Sequence, residues 1–149
     1  MWILIDNAHA EFADEFRTIP GVSVVTITDQ GLRPNATDDK IVQVFCETHS
    51  RTDRLIIATK DRGKKDKIMP KEIEKKRREG YNLTTLTYSA NVNASTAQGF
   101  GQKLAKYNVS SKSVLRKRGL KNIFVSENFG RTIIRTTDDK GKTKDQPIQ

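Results

Sequence analysis

The 149-residue chain is poor in the residues that mark several common protein classes. It has one cysteine, Cys46, and two histidines. A single cysteine excludes an internal disulfide and any multi-cysteine zinc site. Apolar runs are short, of the kind Trp2-Ile3-Leu4-Ile5, against the ~20 residues that a membrane-crossing helix needs. No basic start leads into an apolar stretch, so no secretory leader is expected. Gly99 and Gly101 in Gln98-Gly99-Phe100-Gly101 are too few for a phosphate-binding glycine loop. These absences point to a soluble protein of a reducing, cytoplasmic compartment with no membrane partner.

Acidic residues are also scarce in one part of the chain. Residues 1–50 carry 3 basic and 8 acidic side chains, whereas residues 51–149 carry 24 basic and 10 acidic, giving a net charge of +9. A strongly positive body favours a polyanionic partner, most simply nucleic acid. With 35% apolar residues there is enough for a modest single core.

The pattern along the chain alternates strand and helix. Trp2-Ile3-Leu4-Ile5 is apolar on both faces, as a central parallel strand would be. Ala8 to Arg17 reads as a short helix with Phe12 and Phe16 one turn apart. Val22 to Thr28 is rich in β-branched residues and reads as a second strand. A helix starts at Asp38 or Asp39, with Ile41, Val42, Val44 and Phe45 as its buried stripe and Cys46 beside it. Arg54 to Thr59 is a third strand. Pro70 and Gly80 bracket a helix over Lys71 to Glu79. Leu83 to Tyr88 is a fourth strand. Two short helices follow, around Phe100 to Tyr107 and Ser111 to Arg118, then a hairpin of Asn122–Ser126 and Thr132–Thr136. The expected fold is an open, mostly parallel α/β sheet with helices on both faces and a C-terminal β-hairpin. One domain over 1–137 and a polar, flexible tail over 138–149 are expected.

In such sheets, sites gather at the carboxyl ends of strands where the strand order reverses. Asp6 closes the first strand, Asp61 follows the third, and Asp38 opens the helix leading into it. Each alone fits an ordinary role, as a helix N-cap or a strand-ending turn residue. Brought together, they would repel one another unless a cation offset their charge. Mg²⁺ or Mn²⁺ suits an all-oxygen set and keeps waters that leave room for phosphate oxygens. Such an ion activates water and stabilises charge on a phosphodiester.

The motifs around these acids resemble PIN-like nucleases, the NYN branch in particular. Ile3-Leu4-Ile5-Asp6-Asn7 is similar to the family's opening strand, Asp38-Asp39-Lys40-Ile41 to its Asp-x-x-Ile helix start, and Leu55-Ile56-Ile57-Ala58-Thr59-Lys60-Asp61-Arg62 to its strand followed by Thr/Ser-x-Asp. Val22 to Ile27, Gly31 and Ala36-Thr37-Asp38 resemble the NYN branch. The resemblance covers about the first 66 residues. It implies Asp6, Asp38 and Asp61 as catalytic metal ligands for Mg²⁺ or Mn²⁺, with Asn7, Glu11, Asp39 and Asp66 as secondary candidates. The chain departs from the family pattern in two places. Only Glu11, Asp14 and Glu15 stand in for a further acid before the Asp-x-x-Ile helix, and Gly63 and Lys64 occupy positions where the family tends to carry one.

Basic residues flank this set. Lys60, Arg62, Lys64 and Lys65 surround Asp61, and Lys103, Lys106, Lys112, Arg116, Lys117, Arg118 and Lys121 lie in an acid-free stretch over 98–126. Both groups are candidate phosphate ligands. His9, one turn from Asp6, and Tyr107, within the basic stretch, also fit plain structural roles. The sequence therefore supports a metal-dependent endoribonuclease cutting single-stranded RNA. The alternative is a non-catalytic PIN-like module binding RNA or a protein partner, and behind it the toxin of a toxin–antitoxin pair. Oligomeric state is left open.

Overall fold

The computed structural model describes residues 1–5, 13–17, 20–59, 68–88, 117–128 and 131–148. These form seven strands: β1 (Trp2–Ile5), β2 (Ser23–Thr26), β3 (Arg54–Ala58), β4 (Asn82–Tyr88), β5 (Leu120–Asn128), β6 (Arg131–Asp138) and β7 (Thr143–Ile148). Three α-helices accompany them, α1 (Ala13–Arg17), α2 (Asp38–Glu47) and α3 (Ile68–Arg78), with a single 3-10 turn over Thr28–Gln30. The protein is of the α/β class, with one mixed sheet in the order β2-β1-β3-β4-β5-β6-β7. β1 to β5 run parallel, and β6 and β7 are antiparallel additions. Among the described residues, no helix is long and apolar enough to cross a membrane.

The strands expected to be central are so. Every residue of β3 is buried, and Ile3, Leu4 and Ile5 of β1 are almost fully so. Side chains alternate between the two faces of the sheet, and the core divides accordingly. Ile3, Ile5, Ile56, Ala58, Leu86, Ile123, Val125 and Ile134 share a cluster with Ala13 and Phe16 of α1. Leu4, Leu55, Ile57 and Leu83 share another with Ile41, Val42, Phe45 and Cys46 of α2 and Ile73 of α3. Cys46 is fully buried, and that burial pushes its thiol pKa up to about 12. It acts as a small packing residue, not a nucleophile.

The 138–149 tail expected from the sequence is corrected. The chain turns at Asp138, whose carboxylate accepts the N–H groups of Lys140 and Lys142 at 2.9 and 2.8 Å. It then returns as edge strand β7, pinned by a two-point Arg135–Asp145 ion pair at 2.8 and 2.9 Å. The polar composition conceals this strand because its stability comes from backbone pairing with β6, not from an apolar face. Pro147 is tolerated there because an edge strand can spare an N–H. Helix α3 begins at Ile68, three residues before the expected Lys71, which puts Pro70 in the first turn, where helix N–H groups lack intrahelical partners. Gly80 follows the helix with φ +98°, a conformation that side chains disfavour.

The C-terminal ends of α2 and α3 are joined by Lys76. Its side chain is 8% exposed, and Nζ donates to Glu47 Oε1 at 3.2 Å and to Glu79 Oε2 at 3.0 Å. Burial alone would lower the ammonium pKa, but the two carboxylates outweigh it and raise it above the ordinary lysine value. Lys76 in turn holds the Glu79 carboxyl below its usual range. The lysine's contribution is therefore complete below its unfolded pKa and is lost as pH rises through the raised one. The glutamate's is present above its unfolded pKa and is lost as pH falls through the lowered one. Lys76→Ala should cost about 2 kcal/mol at neutral pH, through lost stem packing and lost pairing. In acid, as pH falls through that lowered pKa and Glu79 becomes protonated, thermal melts should show a smaller difference from wild type. An equal difference at both pH values would remove the ion pairs as its cause.

Candidate functional site

The strand order places a topological switch between β1 and β3. The chain leaves β1 for β2 on one side, then crosses back to β3 on the other. Ile5 is in register with both Thr26 of β2 and Ala58 of β3. The three carboxyl ends therefore lie side by side, and the chain continues from two of them into Asp6 and into Thr59-Lys60-Asp61. Thr59 is buried, and its N–H donates to Leu86 O of β4 at 2.9 Å, extending the ladder one residue past β3. Asp6 and Asp61 lie outside the described residues, as do Asn7, Glu11, Asp66, Lys60, Arg62, Lys64, Lys65, Lys103, Lys106, Lys112, Arg116, His9 and Tyr107.

Helix α2 connects parallel strands β2 and β3, so it starts at this same carboxyl rim. Its N-cap is Thr37, with Asp38 and Asp39 as the first two helical residues. Asp38 is half-buried, and Ile41 and Val42, three and four residues on, face the core. Asp39 is exposed. A hydrogen bond from the Thr37 side chain is the main cause of its lowered pKa, and the backbone N–H groups of Lys40 and Asp39 itself add to it. Asp38 is thus the inward member of the pair, consistent with an apolar residue at +3. Asp29, one turn beyond β2, is a rim acid that motif comparison misses. Its Oδ2 accepts the Thr26 N–H at 2.9 Å, and this bond above all lowers its pKa. Its carboxylate serves to close that turn. Asp14 is paired with Arg17 at 2.8 Å on the solvent side of α1. Among the described residues, no three His, Cys, Asp or Glu side chains come together as a metal set.

Lys117, Arg118 and Lys121 are described and exposed, around the start of β5. They border a feature the sequence does not announce. On the face that carries Leu4, Leu55 and Ile57, side chains change from apolar to polar at β4. Register aligns Thr85, Asn122 and Thr137 in one row across β4, β5 and β6, and Thr87, Phe124 and Arg135 in the next. These rows floor a trough of about 520 Å³ whose wall is α3, through Ile73, Glu74 and Arg77. A second hollow of about 270 Å³ adjoins it and shares Glu74, Arg77 and Lys121, with Arg78, Tyr81 and Asn82 at its end. The Thr85 hydroxyl donates to Asn122 Oδ1 at 2.6 Å and that of Thr87 at 3.4 Å. The amide oxygen is thus occupied, while its NH₂ remains a donor for other groups. The one local signal for this trough is the period-two pattern Thr85-x-Thr87, Asn122-x-Phe124 and Arg135-x-Thr137, polar but for Phe124, in strands whose other face carries Leu86, Ile123, Val125 and Ile134.

His49 belongs to the fold. Its Nδ1 lies 2.7 Å from Phe45 O, and its ring lies 4.5 Å from Trp2 and 5.3 Å from Phe45, centroid to centroid. Compared with known proteins, the chain matches no family model and no curated protein.

Proposed function

We propose that the protein is a cytoplasmic, metal-dependent endoribonuclease of PIN-like type that cuts single-stranded RNA. The observation that carries this reading is the parallel β1–β3 pair at the switch point, with Ile5 opposite Ala58. From those neighbouring ends the chain enters its Asp6 and Asp61 segments, and α2 brings the half-buried Asp38 to the same rim. Helices on both faces belong to the same reading, which the two core clusters support, one built with α1 and the other with α2 and α3. An all-carboxylate donor set suits Mg²⁺ or Mn²⁺. When bound, such an ion supplies an acidified water and charge stabilisation at the phosphorus. Asp6, Asp38 and Asp61 would hold it, and Lys60, Arg62, Lys64 and Lys65 would hold the neighbouring phosphates.

A second reading, an RNA-binding module without hydrolysis, is favoured by the cation-lined trough, whose chemistry requires no metal. A cleavage assay separates the two. Labelled single-stranded RNA should be cut in Mn²⁺, left intact in EDTA, and yield 5′-phosphate ends, as expected when water rather than the 2′-hydroxyl attacks. Intact RNA under both conditions, with binding retained, would leave the binding module. EDTA-resistant cleavage with 2′,3′-cyclic phosphate ends would exclude the metal mechanism.

A further inference from the structure

The trough and its adjoining hollow are lined by four cations, Arg77, Arg78, Lys121 and Arg135, against two carboxylates, Glu74 and Asp139. Arg135 is already held by Asp145, at 2.8 and 2.9 Å, and the pairing of the other three cations with Glu74 and Asp139 leaves positive charge over. Among the described residues, Glu74 is shared between Arg77, at 3.3 Å, and Arg78, at 4.0 Å. Lys121 is exposed at the junction of the two hollows, next to exposed Lys117 and Arg118.

A fifth cation lies at the amino end of β3, opposite the first residue of β4. Arg54 is 8% exposed, and its Nη1 donates to Asn82 O at 3.3 Å and Asn82 Oδ1 at 3.4 Å. Burial foremost, and then repulsion from Arg77 and Arg118, lowers its pKa to about 10.

The floor differs in character from the walls. It carries threonine hydroxyls, the Asn122 amide and the half-buried Phe124 ring. Cations beside a polar floor with an aromatic surface are what a single nucleic-acid strand needs, because its phosphates seek charge and its bases seek edges and a flat apolar face. A duplex shows such a trough only its outer phosphates.

We propose that this trough holds a stretch of single-stranded RNA, its phosphates along Arg77 and Lys121 and its bases over Asn122 and Phe124. At its far end the trough reaches Thr59, the residue from which the chain runs on toward Asp61. A bound strand is thereby led to the rim. The proposal rests on the nucleic-acid part of the function above and not on its metal chemistry.

The test is fluorescence anisotropy with a labelled oligouridine in EDTA across a salt series. Lys121→Glu should weaken binding at least about tenfold and reduce the log–log salt slope by about one. Lys40→Glu, the same charge change on an exposed position of α2 outside the trough, should stay within about twofold. Equal loss in both variants, or none in Lys121→Glu, overturns the proposal. So does uridine monophosphate competing as well as the oligomer at equal phosphate concentration, which would mark a mononucleotide pocket, or duplex RNA binding as tightly as the single strand. Absent Mn²⁺ cleavage alongside Lys121-dependent binding would overturn only the nuclease reading. Mn²⁺ cleavage alongside Lys121-independent binding would overturn only the trough.

Discussion

Asp61→Asn is expected to reduce Mn²⁺-supported cleavage of single-stranded RNA by roughly a thousandfold, about 4 kcal/mol of transition-state stabilisation. The substitution keeps the side chain's size and removes its charge, so the loss reports ion binding and not packing. Binding of oligouridine in EDTA should be unchanged or tighter, since one negative charge beside the phosphates is gone. The two helix-start acids should separate in the same assay. Asp38 is half-buried at the rim, whereas Asp39 is exposed and engaged by Thr37. Asp38→Asn should therefore approach the Asp61 variant, and Asp39→Asn should stay within a few-fold of wild type. Calorimetry with Mn²⁺ gives an independent measure, in which Asp61→Asn should weaken binding sharply. Equal cleavage by wild type and Asp61→Asn would sink the proposed ligand set.

The sheet was legible wherever sequence pattern is local and reports burial. Leu55-Ile56-Ile57-Ala58 is apolar on both faces and becomes β3 between two parallel neighbours. Ile41, Val42 and Phe45 repeat at helical spacing and become the buried stripe of α2. β7 was not legible, because Thr143-Lys144-Asp145-Gln146 has no apolar alternation and is held by β6. The carboxyl ends of β1 and β3 were legible for a related reason, since each apolar run gives way to polar residues there, whereas Asp6 and Asp61 themselves lie outside the described residues. The trough was not. Arg77, Lys121 and Arg135 come from a helix and two strands, and only the pairing of β4, β5 and β6 assembles them. Charge counting finds the basic residues but not which of them share a surface. Lys76 shows the converse error, a lysine within a basic run that is buried against Glu47 and Glu79 and unavailable to a phosphate.

Phe45→Ala is expected to be the most damaging single change to the fold. Phe45 is fully buried in the cluster that joins α2 to β1 and β3, with Leu4, Leu55 and Ile57 among its members, and its ring stands edge-on to His49. Removing a ring there costs transfer free energy and leaves a cavity that β3, buried throughout, has little freedom to fill. The sum is about 3–5 kcal/mol, which for a chain of this size corresponds to a fall in Tm of roughly 10–15 °C. Val44→Ala, one position away and only half-buried, should cost about 1 kcal/mol or less. Circular dichroism melts of both variants check the ratio. The functional consequence follows from where α2 begins. At a temperature where Phe45→Ala is still folded, oligouridine binding should persist, because the trough is built from α3 and β4 to β6. Mn²⁺-dependent cleavage should fall more than binding does, because α2 carries Asp38 and has lost its main anchor on the sheet. A melt indistinguishable from wild type would mean that Phe45 does not anchor α2, and that the position of Asp38 depends on other contacts.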